Sequence, residues 1–70
     1  MGRILKRIFS TDISGKINDI INLEVDVVMN NKSVLHGVII SATADGLLLR
    51  NIVRNKQSIL FSDINEIFFV

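Results

Sequence analysis

The sequence contains no cysteine and only one histidine among its 70 residues. The lack of cysteine excludes disulfide bonds, and one histidine without thiols argues against a structural zinc site. No apolar run approaches the roughly 20 residues that a membrane-spanning helix requires. Missing cysteine also fits a reducing compartment. We therefore expect a cytoplasmic protein with no cofactor, no metal ion and no membrane partner.

Without a disulfide bond or a structural metal site, a chain this short needs another source of stability. A domain of this size buries only about 60% of the surface that its unfolded chain exposes, so a lone monomer is marginally stable. Apolar residues make up 49% of the chain, a large share for so small a surface. This composition favours self-association.

Positive charge is concentrated in two segments, although the formal net charge is only +1. Neither segment contains an acidic residue between its first and last basic residue. Two interpretations remain open: solvated faces of the domain, or patches that contact phosphate groups. The basic residues of the two segments are Arg3, Lys6, Arg7, Arg50, Arg54 and Lys56.

The first part of the chain predicts two short helices. Residues 1–11 form a basic amphipathic extension, because the apolar residues of Arg3–Phe9 lie on one side of a helical wheel. Two turns are too few to be stable alone in water. We expect this extension to pack on its own barrel or on a neighbouring subunit, in preference to a membrane surface. Isoleucines at helical spacing predict a second helix over residues 12–22, which Gly15 weakens.

From residue 23 onward the apolar residues alternate with period two or form short apolar runs, which indicates strands. Gly37 lies in the second strand, where a missing side chain permits sharp bending or the close approach of another backbone. The last strand carries the consecutive residues Phe68 and Phe69, which point to opposite faces. We expect it to be an uncovered edge that pairs with another chain. The predicted strands span residues 23–29, 33–43, 47–54, 58–61 and 64–70.

Three segments, Met29–Gly37, Leu47–Asn51 and Phe61–Ile67, resemble the Sm-like family, which includes the eukaryotic Sm and Lsm proteins and the bacterial RNA chaperone Hfq. The resemblance covers residues 12–70 of a single domain over residues 1–70. It implies a mainly β fold, in which an N-terminal helix precedes a five-stranded, strongly bent antiparallel barrel of the Src-homology-3 type over residues 23–70. It also implies a homo-oligomeric ring of about five to seven subunits.

In this family, single-stranded RNA is bound near the pore by the turns that follow the second and fourth strands. The ring multiplies a weak site. The resemblance, together with the basic segments, assigns RNA binding to Thr43, Asp45, Ser62, Arg50, Arg54, Lys56, Arg3, Lys6 and Arg7. The implied oligomer interface consists of Ile59, Phe61, Ile67, Phe68 and Phe69.

A second interpretation keeps the ring but replaces RNA by a protein partner that binds the N-terminal helix. It rests on departures from the family pattern. The first turn has no aromatic residue, Gly46 follows Asp45, and the second turn lacks the cations that the family places there. The chain would then be a structural or assembly module.

No set of residues predicts catalysis, so we expect neither an enzyme nor a small-molecule substrate. His36 lies beside Gly37 on a predicted strand, and no carboxylate or thiol lies close to it in the sequence. We expect a partly buried, hydrogen-bonded histidine and not a general base or metal ligand.

Overall fold

Six strands form one antiparallel sheet in the computed structural model, which describes residues 6–70. One α-helical turn and a 3₁₀ turn lie between the first and second strands, and another 3₁₀ turn lies before the last strand. In chain order the elements are β1 (Lys6–Phe9), α1 (Ile13–Lys16), a 3₁₀ helix (Ile17–Ile20), β2 (Glu24–Met29), β3 (Val34–Ala42), β4 (Gly46–Arg50), β5 (Lys56–Leu60), a 3₁₀ helix (Phe61–Asp63) and β6 (Ile64–Phe69).

The sheet has the order β1-β6-β2-β3-β4-β5. Its register shifts between Val28 and Met29 in β2 and between Ile39 and Ser41 in β3, and irregularities of this kind bend strands and increase their twist. The result is a small barrel-like domain that does not close, with β1 and β5 as its outer strands. The predicted mainly β, antiparallel fold is thus confirmed, whereas the predicted number of five strands is wrong.

The core is filled by one face of the sheet and by the isoleucines of the helical segment. Val25 and Val27 of β2 are both buried, because alternate residues of a strand point to the same face of the sheet. Ile67 of β6 lies opposite Val27. Within residues 6–70, no charged or polar residue is buried. The buried hydrophobic side chains are those of Ile8, Ile13, Ile17, Ile20, Val25, Val27, Ile39, Leu47, Leu49, Ile59, Ile64 and Ile67.

Gly37 is required because β3 and β4 approach each other closely there. A Cβ atom at this position would lie 2.5 Å from the carbonyl oxygen of Arg50 and 3.1 Å from Cγ of Leu49. Its φ angle is not positive, so steric room and not backbone freedom selects glycine. The predicted close approach of another backbone is confirmed.

The N-terminal extension differs from its prediction, because Lys6–Phe9 is a strand and not part of an amphipathic helix. Only Ile8 in this strand is buried, and Lys6 and Phe9 pair with Phe69 and Glu66 of β6. The strand satisfies backbone groups of β6 that a helix would leave unpaired. The predicted residues Arg3 to Leu5 lie outside the described residues.

This pairing also corrects the prediction that the last strand is an edge. Strand β6 lies between β1 and β2 and is hydrogen-bonded on both sides. Among the predicted interface residues, Ile59 and Ile67 are buried in the chain's own core, and Phe61, Phe68 and Phe69 are half-buried. The side chains of Ile59 and Ile67 therefore contribute to the core of the single chain.

The helix predicted over residues 12–22 is shorter and less regular than expected. One α-helical turn, Ile13–Lys16, continues as a 3₁₀ helix over Ile17–Ile20. Asn22 then adopts φ 71°, which is incompatible with a continuing right-handed helix, and its N–H donates to the carbonyl oxygen of Ile39 (2.7 Å). This bond ties the end of the helical segment to β3.

Candidate nucleic-acid interface

Two turns that the Sm-like resemblance assigns to RNA binding meet at one end of the sheet. The backbone N–H of Phe61 donates to the carbonyl oxygen of Asp45 at 2.9 Å. The side-chain amide of Asn30 donates to the carbonyl oxygen of Ser62 at 2.8 Å, and its backbone N–H donates to that of Asp63 at 2.9 Å. The structure therefore places Thr43, Asp45 and Ser62 in one region.

The polar groups of this region are occupied by the turn itself. The hydroxyl of Thr43 accepts bonds from the N–H groups of Asp45 (3.3 Å) and Gly46 (3.2 Å) and donates to the carbonyl oxygen of Gly46 (3.3 Å). The exposed carboxylates of Asp45 and Asp63 flank it. Their charge disfavours a phosphate backbone, so this end of the sheet has the wrong electrostatics for RNA.

The structure places the predicted cations of β4 at the opposite end of that strand. Gly46 begins β4 at the turn, and Arg50 ends it four residues later. At about 3.3 Å per residue, the two ends are separated by roughly 13 Å. Lys56 pairs with Arg50 across the β4–β5 hairpin. The predicted RNA-binding residues thus do not form one surface.

The cations of β1 form a third location, where their charge is already partly neutralised. Arg7 lies with its Nε atom 3.7 Å from the carboxylate of Glu66 and with its guanidinium 4.4 Å from the ring centroid of Phe9. The ammonium group of Lys6 lies 6.0 Å from the ring of Phe69. The contacts of Arg7 with Glu66 and of Lys6 with Phe69 join β1 to β6, whereas the contact of Arg7 with Phe9 lies within β1. The predicted cation Arg3 lies outside the described residues.

The cations of the β4–β5 hairpin are the ones that remain available. We call residues 50–56 the basic hairpin, and its cations are Arg50, Arg54 and Lys56. All three are exposed, and none takes part in a salt bridge within residues 6–70. The sequence from Gly46 to Ser62 contains no acidic residue. This part of the described surface is free to attract a polyanion.

The connection of the basic hairpin is longer and more structured than predicted. Strand β4 ends at Arg50, although the sequence predicts a strand to Arg54. The side-chain oxygen of Asn51 accepts bonds from the N–H groups of Val53 (3.1 Å) and Asn55 (3.0 Å). Such a side-chain bond to the backbone is an alternative to the strand ladder and makes the turn. It is the physical reason why β4 stops.

An open depression of about 510 Å³ adjoins the basic hairpin. Arg50 and Arg54 line it, and apolar surface is supplied by Val38 and Ile52. His36 is the one aromatic ring among its lining residues. The lining residues are Glu24, His36, Gly37, Val38, Arg50, Asn51, Ile52 and Arg54.

His36 occupies the rim of this depression and is exposed, which corrects the expectation of partial burial. Its Nδ1 atom lies 2.5 Å from Oδ1 of Asp26, and its Nε2 atom lies 3.1 Å from Oε2 of Glu24. The expected hydrogen bonding is therefore present. We call His36, Asp26 and Glu24 the histidine cluster.

Hydrogen bonds to Asp26, followed by those to Glu24, raise the pKa of His36 above its ordinary value of 6.5. Both ring nitrogens donate when the imidazole is protonated, so the charged form satisfies both carboxylates. The histidine cluster then carries two negative charges and one positive charge. Protonation of His36 therefore reduces the negative charge beside Arg50 and Arg54.

Sequence proximity failed to find this cluster, because its carboxylates lie 10 and 12 residues before His36. The pairing register of the β2–β3 hairpin is the feature of the sequence that predicts this cluster. A turn around Asn30–Lys32 places Asp26 opposite His36, as the structure shows. Within the described part of the chain, no group of three or more His, Cys, Asp or Glu residues could hold a metal ion.

Comparison with known proteins finds no family model, no curated protein and no solved structure that matches this chain. No helix in residues 6–70 has both the length and the apolar character needed to cross a bilayer.

Proposed function

We propose that this protein is a self-associating Sm-like domain that binds single-stranded RNA weakly through its basic hairpin. One observation carries the proposal: the cations of the basic hairpin are exposed and free of salt bridges within the described residues, and the sequence from Gly46 to Ser62 contains no acidic residue. Cations in this state bind phosphates with release of counterions, which is the main source of affinity for nucleic acids.

The depression beside the basic hairpin supports single-stranded RNA over a duplex. Guanidinium planes of Arg50 and Arg54 stack on unpaired bases as well as contacting phosphates. Val38 offers apolar surface to a base beside them. Because no phenylalanine lines the depression and the ring nitrogens of His36 are bonded to Asp26 and Glu24, we expect little discrimination between bases.

Self-association explains how such a weak site becomes useful. The outward edges of β1 and β5 have no paired strand within residues 6–70, and each carries an exposed large apolar residue, Phe9 or Leu60. Pairing of β5 in one copy with β1 in the next satisfies both edges head to tail. Several basic hairpins of one assembly then bind the same RNA. Once the first hairpin is bound, the others meet the RNA at a high effective concentration. This interface replaces the one expected at β6.

Fluorescence anisotropy of a labelled single-stranded RNA, measured over a range of salt concentrations, tests the proposal. We expect binding at micromolar protein that weakens as salt rises. Replacing the three cations of the basic hairpin by glutamine should reduce the slope of log affinity against log salt by about 2, since each single-strand phosphate contact contributes about 0.7. A matched control replaces Lys16 and Lys32, which are exposed on other elements.

The control variant should retain the wild-type affinity and slope. Wild-type protein that binds no RNA at low salt would reject the proposal. Equal losses in the control and hairpin variants would show that net charge, and not the basic hairpin, determines binding.

The second candidate is an assembly module that binds a protein and not RNA. The observation that favours it is the region of Thr43, Asp45 and Ser62, where the hydroxyl of Thr43 bonds to backbone groups of its own turn and the net charge is negative. The helix to which this interpretation assigned the partner is replaced by β1 over the described residues. Assembly without any RNA binding in the anisotropy experiment would favour this candidate.

A further inference from the structure

The most exposed apolar side chains of the described protein lie at the tip of the basic hairpin. Ile52 is 92% exposed and Val53 is 68% exposed. We call these two residues the tip. Turns in soluble domains are normally built from polar residues and glycine, so two consecutive β-branched apolar residues in water require an explanation.

The tip is held by a defined turn and is not part of a loose segment. The N–H of Asn51 donates to the carbonyl oxygen of Asn55, and the N–H of Arg54 donates to that of Asn51, both at 3.0 Å. The side-chain oxygen of Asn51 accepts the N–H groups of Val53 and Asn55. Arg54 adopts φ 66° to close the turn. The backbone therefore holds the tip in place before any partner binds, which lowers the entropy lost on binding.

Cations surround the tip on both sides. Arg50 precedes it, Arg54 follows it directly, and Lys56 lies opposite Arg50 in the β4–β5 pairing. The nearest acidic residues in the sequence are Asp45 and Asp63. Glu24 lines the same depression as Ile52 and Arg54, so the positive charge at the tip is that of the hairpin itself. An apolar point flanked by the cations of the hairpin is complementary to a surface with anionic groups outside and an apolar interior.

We infer that the tip inserts Ile52 and Val53 into the interface of an anionic lipid bilayer while the surrounding cations contact headgroup phosphates. Bilayer binding of this kind increases with buried apolar area and with attraction to anionic lipids, and the tip offers both. A protein groove usually recognises side chains at strand or helix spacing, which two consecutive turn residues do not provide. A bilayer imposes no such spacing.

This inference goes beyond RNA binding and differs from it in one testable respect. Both ligands use the cations of the basic hairpin, but only a bilayer requires the apolar tip. Substitutions at the tip therefore separate the two activities, and substitutions of the cations weaken both. Each lost cation should weaken vesicle binding about fivefold, because a lysine or arginine near an anionic surface contributes about 1 kcal/mol to binding.

Tryptophan fluorescence tests the insertion directly, because the chain contains no tryptophan or tyrosine. In an Ile52→Trp variant the new side chain is the only indole. Its emission should shift to shorter wavelength on addition of phosphatidylcholine vesicles that contain phosphatidylglycerol, and much less with phosphatidylcholine alone. The matched control is Phe9→Trp, at a side chain that is 49% exposed on β1, the strand at the opposite end of the sheet order from β5. Its emission should not shift.

Co-sedimentation with the same vesicles provides the second readout. An Ile52→Ser, Val53→Ser variant should bind anionic vesicles at least about tenfold more weakly than the wild type, because apolar area is lost. Its thermal unfolding and its RNA affinity should be unchanged, since both side chains are exposed. Failure of the wild type to sediment with anionic vesicles, or equal binding by the double serine variant, would overturn the inference. An equal loss of RNA affinity would assign the tip to the RNA site and would also overturn it.

Discussion

His36 is the residue whose chemistry depends most on its neighbours. Its hydrogen bonds to Asp26 and then to Glu24 raise its pKa. An Asp26→Asn substitution should therefore lower the pKa of His36, and Glu24→Gln should lower it by less. Proton NMR reads this pKa without ambiguity, because the chain has a single histidine. Asp45→Asn, at another exposed carboxylate, is the control that should leave it unchanged.

The same pKa shift predicts a dependence of stability on pH. A pKa raised in the folded state contributes stability that is fully present below the unfolded-state value of about 6.5 and is lost as pH rises through the folded-state value. The urea midpoint of the wild type should therefore fall as pH is raised from about 6 through the measured pKa of His36. A His36→Gln variant should lack this component. A wild-type midpoint that rises over this interval relative to the variant would contradict the hydrogen bonding of the histidine cluster.

Gly37 provides a steric prediction at the same scale. Gly37→Ala should lower the free energy of unfolding by about 1–3 kcal/mol, because the added Cβ meets backbone of β4 that has no room to move. Gly15→Ala is the matched control, since no atom lies within 4 Å of a Cβ there, and alanine should stabilise this helical turn by up to about 1 kcal/mol. Urea unfolding of both variants measures the difference. Equal effects would show that β3 and β4 do not approach closely at Gly37.

At the scale of elements, β1 gives the sharpest test of the sheet. In a strand, Ile8 and Phe9 face opposite sides, whereas the predicted amphipathic helix would place both on its apolar side. Ile8→Ala should therefore cost about 2–4 kcal/mol of unfolding free energy, because Ile8 is in the core. Phe9→Ala should cost clearly less, since Phe9 is 49% exposed. Similar losses for the two variants would favour the helix.

The strands from β2 to β6 could be predicted from the sequence because each has a period-two pattern or an apolar run bounded by a turn. β1 could not, because its four residues fit a helical wheel as well as a strand. Only pairing with β6 distinguishes the two structures, and that contact joins residues about 60 positions apart. The end of β4 was misplaced for a similar reason, since the side-chain bonds of Asn51 are invisible in a hydrophobic pattern.

At the scale of the whole molecule, the sequence predicts the residues of the candidate site better than their arrangement. The basic hairpin was recognised as a cluster because its cations are close in the chain. Its separation from Thr43, Asp45 and Ser62 follows from the direction of β4, which carries Gly46 and Arg50 at opposite ends. The sheet order places Lys6 and Arg7 on the outer strand opposite to β5. Charge clusters in the sequence thus become three separate surface locations.

Assembly is the property on which the multiplied RNA site depends. Size-exclusion chromatography with multi-angle light scattering measures it without labels or variants. We predict a mass that is a multiple of the 7.8 kDa of one chain, produced by pairing of the β5 edge with the β1 edge of another copy. A mass of about 7.8 kDa at every protein concentration used for RNA binding would contradict self-association and, with it, the proposed repeated site.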